Sequence, residues 1–507
     1  MTLRTDRVGG MQWVIAAIAV IAAAFHLATA GRYDIFRNEL YFIVCGWHPA
    51  FGYVDQPPLV PLLAAATQSF GDNVWLLRLP AVIAAVALIP LTVALARLFG
   101  GSKTASIASA LAAATAPALV GMTTTLTTET FEPLCWTACA LLVSRALIRN
   151  ERRMLLWAGF VAGVAMEIKY GIAIWLMALA VGIVATGARR VLAWSSLWLG
   201  VVLAAGLAAP SLIWQTIHGW PFFQVIAHHA ASIRPFTGGP LRFEIGQILA
   251  MNLILAPLWF AGIAGPFVIA RLRGARFLAV AFVVATIIVL ISGGKDYYLF
   301  PAYPVVFAIG AVALQNLQRW VMRIWFAVAL LNAAIIAPVV LPLLAPDALA
   351  RYLARGHLKP QPDEREALGA PLTQVFSDEF GWRDLETQVA SIYRSLSPAD
   401  QRRVAILASN YGEAAAIDVY GRKDALPAAL SGQNQYFLWD PHGHDGSLII
   451  LINGDPEHWR RKCRSVAIVG TFGADYAMPY ETDRPIFLCR GLSDDLTKIW
   501  GGFQRYD

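Results

Sequence analysis

QWVIAAIAVIAAAFHLATA (residues 12–30) is followed, after a short connection, by RNELYFIVCGWHPAFGYVDQPPL (residues 37–59). The first stretch is an unbroken apolar run, long enough to cross a hydrocarbon core of roughly 30 Å as a helix. Nothing like a signal-peptidase site follows it, so it reads as a retained span. The second stretch places Glu39, His48, Asp55 and a Pro-Pro pair directly beside that span. A membrane segment that delivers the chain into an acidic, proline-stopped loop sets the pattern for everything downstream.

The pattern continues through two thirds of the chain. Apolar runs recur at about 74–98, 104–122, 131–148, 154–167, 171–187, 196–214, 246–270, 277–292, 299–316 and 324–345, which with the first makes about eleven spans. MEIKYG interrupts the 154–167 and 171–187 pair, and short runs of that kind suit re-entrant or tilted helices. Of the 507 residues 57% are hydrophobic and only 14% charged, a balance that excludes an ordinary soluble protein. The expected fold class is mainly α, a polytopic membrane bundle.

Charge placement orients it. With the N-terminus in the cytoplasm, Arg97, Lys103, Arg145, Arg149, Arg271 and Arg323 all fall on the inner side, as the positive-inside rule requires. The acids Asp34, Glu39, Asp55, Glu129, Glu132 and Asp296 fall outside. The net charge of +7 then reflects insertion and contact with anionic membrane lipids, not nucleic acid.

After about residue 345 the composition turns polar, and 346–507 reads as a soluble α/β domain on the outer face, following a transmembrane domain over 1–345. Strands are expected at 404–409, 436–439, 447–452, 465–470 and 485–489, with helices in DLETQVASIYRSL and GEAAAIDVYG. Cys463 and Cys489 would meet an oxidising compartment there, where a disulfide is allowed. Cys45, Cys135 and Cys139 show no ligand spacing. No Walker loop, dinucleotide glycine fingerprint, CxxC pair or HExxH occurs, which leaves nucleotide-driven and hydride chemistry without support.

The outer loops carry the chemistry. In the first, Glu39 lies where its spacing from Tyr41 and Phe42 turns the carboxylate to a cleft and the rings to lipid. Asp55 is held at the head of the next element by the prolines after Gln56. Convergent acids suit general-base work or a divalent metal. In TTTLTTETFEPLCW, Glu132 precedes Pro133 at the start of a span. SGGKDYYLFPAYP supplies Lys295, Tyr297 and Tyr298, a cation and two hydroxylated rings at the membrane boundary. Loop 215–245 adds His228 and His229, of which one can donate a metal ligand, since adjacent histidines point apart in regular structure. Each of these has a plainer reading, as solvated loop acids, a helix N-terminal charge, a snorkelling lysine and surface histidines.

Taken in order, NELYFIVCG, GYVDQPPL, FEPLCW and GKDYYLFPAYP resemble the family 39 glycosyltransferases of the GT-C fold, and are similar to lipid A aminoarabinose transferases, rhizobial galacturonosyl transferases and protein O-mannosyltransferases. The likeness covers most of residues 10–345. It implies inverting transfer of a sugar from a polyprenyl-phosphate donor to a glycolipid or protein acceptor, such as lipopolysaccharide, at the outer face of the bacterial cytoplasmic membrane. Asn38-Glu39 match the family's first-loop acidic pair, with Asn38 standing where many relatives carry aspartate. Asp55 matches the acid before the Pro-Pro, which in some relatives is associated with a metal. Glu132 matches the second-loop acid, and Lys295 and Tyr298 match the segment near the donor phosphate. Glu39 is then the expected base, Asp55 and Glu132 its companions in catalysis, and Asn38, Gln56, Lys295, Tyr297 and Tyr298 the substrate-binding residues. The one candidate cofactor is a divalent metal, with Asp55, His228 and His229 as its candidate ligands. The rival classes are a lipid transporter or flippase, which calls for midplane charges and related halves, and an envelope assembly scaffold.

Overall fold

The structure is a computed structural model in which residues 6–233, 239–358 and 367–507 are described. Two compact units divide the chain. One comprises Met1–Arg32, Trp75–Ile213 and Ile233–Leu343, the other Tyr33–Val74, Trp214–Ser232 and Leu344–Asp507. The last junction thus falls at Leu343/Leu344, while residues 33–74 and 214–232 join the C-terminal chain in the second unit.

The first unit is helical and apolar. Among the described residues seven helices are long and apolar enough to cross a membrane, from Gly10–Thr29 to Arg319–Val340, and eight if Pro240–Ala250 and Leu253–Val268, bent by 93°, form one span. The chain is a multi-pass membrane protein. The expected spans at 154–167 and 171–187 are the shorter helices Met154–Met166 and Ile172–Ala185. That expected at 104–122 breaks into Lys103–Thr115 and Pro117–Gly121. Ala116 is extended there, because the following proline ring disfavours the helical conformation of the residue before it. Small residues set the helix packing. A side chain on Gly262 would strike the Val306 carbonyl, and one on Gly310 the Leu258 carbonyl, so the helices Ala256–Val268 and Tyr303–Leu314 touch backbone to backbone. Trp136 and Trp175 stack at 5.3 Å in the core, and the Trp175 indole donates to the Trp136 carbonyl at 3.0 Å.

The second unit is an α/β layer with two added helices, Arg37–Trp47 and Leu59–Gln68. Its five strands are β1 (Ala405–Ala408), β2 (Ala429–Ser431), β3 (Leu448–Ile452), β4 (Cys463–Phe472) and β5 (Arg484–Leu492), ordered β2-β1-β3-β5-β4. β1 runs parallel to β2 and β3, and all three are buried throughout, as strands covered on both faces must be. β5 is antiparallel to β3 and to the largely exposed edge strand β4. Helix Tyr411–Tyr420 makes the crossover from β1 to β2 and starts at a capping box, in which Asn410 accepts from the Glu413 N–H at 2.9 Å and Glu413 accepts in return from the Asn410 N–H. Cys463 and Cys489 are disulfide-bonded, and Cys45, Cys135 and Cys139 are free thiols.

One expected strand is not a strand. YFLW lies in the helical turn Gln435–Leu438, and the sheet instead takes Ala429–Ser431. Tyr436 and Trp439, three apart, pack at 4.8 Å while Phe437 stacks on Trp500, so the side chains radiate with a helical rather than a two-residue period.

Candidate active site

Two polar clusters contain the residues singled out from the sequence, one in each unit. In the second unit, the helix Arg37–Trp47 presents Asn38, Glu39 and Tyr41. Asn38 Oδ1 accepts from the Tyr411 hydroxyl at 2.8 Å. Glu39 is fully buried, and its Oε2 accepts from the Phe36 N–H at 3.0 Å, so the carboxylate folds back on the N-terminus of its own helix and serves an orphan backbone donor. Tyr41 and Phe42, expected to face lipid, are buried within the unit.

Asp55 has a different environment. The Pro57-Pro58 pair stops the chain before the helix Leu59–Gln68, and Asp55 is left half-buried at its head. Its Oδ1 accepts from the Tyr41 hydroxyl at 2.8 Å. That hydroxyl in turn accepts from the Gln435 N–H at 3.1 Å, and Gln435 Oε1 accepts from the Val54 N–H at 3.1 Å. Gln435 therefore clamps both the residue before Asp55 and the tyrosine bonded to it. Tyr41 also packs against Tyr411 and Tyr436, at 4.7 and 6.3 Å. The second carboxylate oxygen of Asp55 has no hydrogen-bond partner in another residue among the described residues. Burial pushes the Asp55 carboxyl up to about 6, against the opposing pull of the Tyr41 hydroxyl and backbone. Gln56 is buried beside it, its Oε1 without a hydrogen-bond partner among the described residues. Gln435 and Tyr411 were not anticipated from the sequence.

In the first unit, Glu132 opens the helix Glu132–Arg149 with Pro133 behind it, as the Glu-Pro pair suggested. Glu132 is 5% exposed, and its Oε2 lies 3.2 Å from Lys169 Nζ. The same ammonium is 2.8 Å from Glu129 Oε1. It also lies over the rings of Tyr297 and Tyr298, at 5.2 and 5.1 Å from their centroids. Lys295 is buried, with Nζ 5.8 Å from the Tyr297 centroid. A side chain at Gly171 would strike Glu132 Oε1, so that glycine leaves the room the carboxylate occupies. Lys169 sits in MEIKYG, and the charge interrupting two apolar runs was the signal that could have pointed to it.

His228 does not join either cluster. His228 is more than half exposed and 3.9 Å from Asp507, and the His229 side chain lies outside the described residues. His48, His442 and His444 line a cavity of about 220 Å³ together with Asp418 and Trp439. Among the described residues no group of three histidine, cysteine or acidic side chains is disposed to hold a metal ion.

The crystal structure of ArnT from Cupriavidus metallidurans bound to undecaprenyl phosphate superposes with a TM-score of 0.58 at 15% identity, over 94% of this chain and 98% of that one. The same protein in the apo state gives 0.57, again at 15% identity, over 95% and 98%. The protein has the GT-C fold. The profile of the dolichyl-phosphate-mannose-protein mannosyltransferase family matches residues 55–214, a segment that begins at Asp55 and includes Glu132 and Lys169. Curated protein sequences give no significant match.

Proposed function

We propose that this protein is an inverting glycosyltransferase, which moves a sugar from a polyprenyl-phosphate donor to a glycolipid or protein acceptor at the outer face of the bacterial cytoplasmic membrane. The GT-C fold, the match to the mannosyltransferase profile and the likeness to a protein solved with undecaprenyl phosphate support the reading. Modification of lipopolysaccharide is its narrowest form. The arginine-rich inner loops support a cytoplasmic N-terminus, and the Cys463–Cys489 disulfide supports an outer second unit.

The observation that carries the proposal is Asp55, a carboxylate with one oxygen fixed by Tyr41 and the other available, and a proton affinity raised toward neutrality. A general base works best with a pKa near the operating pH. Asp55 takes the proton of the acceptor hydroxyl as that oxygen bonds to the anomeric carbon, and the bond from that carbon to the phosphate oxygen breaks on the opposite side. The lipid phosphate leaves as an anion and needs no proton from a second carboxylic acid. Lys295 supplies positive charge to the phosphate, and Glu132, fixed by Lys169, orients sugar hydroxyls. Glu39, spent on its helix, holds the segment that carries Asn38 and Tyr41.

The test is mass spectrometry of envelope glycolipids and glycoproteins from cells with the protein, without it, and with Asp55→Asn. One sugar residue should vanish without the protein, return with the wild type and fail to return with the variant. Identical envelopes with and without the protein would refute the proposal.

A further inference from the structure

A groove of about 570 Å³ lies between the helices Asp6–Thr29, Val74–Leu98 and Glu132–Arg149. Its walls are apolar, with Ile15, Ala19 and Val93 among them, while Arg97, Arg145 and Arg149 converge on it. The helix that begins at Glu132 runs 18 residues to Arg149. At 1.5 Å per residue that is about 27 Å, so the arginines lie at the membrane face opposite Glu132.

The charges there do not cancel. Arg145 pairs with Glu151 at 2.8 Å and Arg149 lies 3.9 Å from the same carboxylate, whereas Arg97 contacts the neutral Met11 sulfur at 3.4 Å. Among the described residues three guanidinium groups thus face one carboxylate. Arginine at this end also serves membrane insertion, but insertion requires no convergence on a groove. An apolar groove open to a bilayer is filled by hydrocarbon rather than water. Guanidinium groups at its end match a phosphodiester in shape and charge. We propose that this groove binds one anionic phospholipid of the leaflet opposite Glu132, with the phosphate on Arg97, Arg145 and Arg149 and an acyl chain along the wall of Ile15, Ala19 and Val93. The site is separate from the proposed chemistry and stands or falls without it.

The experiment uses the full-length protein in nanodiscs of phosphatidylcholine containing a minor share of phosphatidylglycerol, followed by native mass spectrometry of the lipid retained on release. The wild type should keep one phosphatidylglycerol. Arg97→Gln combined with Arg149→Gln should lower that retention by about tenfold. Because loss of inner charge can disturb insertion, Ala16→Trp provides the second variant. It fills the groove at a lipid-exposed position without changing charge, and should lower retention equally. Equal retention of phosphatidylcholine, unchanged phosphatidylglycerol in both variants, or complete displacement by inorganic phosphate alone would overturn the proposal, the last by marking a free-anion site.

Discussion

Asp55 and Glu132 both lie just ahead of a proline, the first half-buried and the second buried, yet the two units give them different partners. Glu132 shares an ammonium with Glu129, so its charge is answered by a fixed cation. Asp55 has only a neutral hydroxyl on one oxygen and nothing from another described residue on the second. An acid paired with a lysine is held in position. One bonded to a tyrosine can gain and lose a proton at modest cost. Under the proposed function, the first unit's cluster anchors and Asp55 in the second takes the proton.

The comparison breaks most directly at Asp55. Asp55→Asn should keep the fold and lower turnover by about 10²–10⁴, the range for a lost general base. Glu39→Gln should instead lower the unfolding temperature more than the turnover, since its carboxylate serves the Phe36 N–H. Turnover measured beside thermal unfolding separates the two, and a collapse of turnover in a stable Glu39→Gln protein would return the base to Glu39.

The next largest effect is expected at Lys169. Lys169→Met leaves Glu129 and Glu132 without their shared cation, and breaking a buried pair from one side costs about 3–5 kcal/mol. Unfolding followed by tryptophan fluorescence should register the loss. Glu129→Gln, which leaves one carboxylate for the lysine, should lose much less.

How far these sites were legible differs by residue. The apolar runs marked the helices, the polar shift near 345 marked the α/β layer, and Glu-Pro and Asp-Gln-Pro-Pro marked Glu132 and Asp55, because membranes and prolines act locally on the chain. The partners were not legible. Tyr411 lies 373 residues from Asn38, Gln435 lies 394 from Tyr41, and Arg383, which bonds Asp34 at 2.6 Å, lies 349 away. No local period encodes such pairs. They also explain why residues 33–74 fold with the C-terminal chain rather than with the spans that flank them. Glu39 was placed on a helix, but its bond to the Phe36 N–H was not legible, since whether an acid meets its own helix N-terminus depends on where the helix starts. A three-residue strand such as β2 is too short to display alternation, which left the four apolar residues of YFLW as the more strand-like run.

A smaller loss is expected for the donor. Lys295→Ala should weaken binding of a polyprenyl-phosphate sugar by about tenfold to a hundredfold, the scale of one charge-assisted contact of roughly 1.5–3 kcal/mol. Lys295→Arg should retain most of the binding. Equal donor affinity in both variants, measured with the detergent-solubilised protein, would leave Lys295 a purely structural residue of the tyrosine cluster.

The smallest effect is also the sharpest test of the comparison. If Asp55 is the base, transfer requires its ionised form, so kcat/KM should rise with pH through about 6 and level off above it. The Tyr41 hydroxyl stabilises that ionised form, because it donates to the carboxylate. Tyr41→Phe removes the donor, which favours the protonated acid and moves the rising limb to higher pH by about one unit. The same change deprives the Gln435 N–H of its acceptor and lowers stability, but loosened packing alone would scale the whole profile down without moving the limb. A profile that drops at every pH with its midpoint unchanged would therefore make Tyr41 a support for the loop and place the titrating group elsewhere. A limb displaced upward, with the plateau largely recovered at higher pH, would tie the proton to Asp55 and its positioning to the contact between Tyr41 and Gln435.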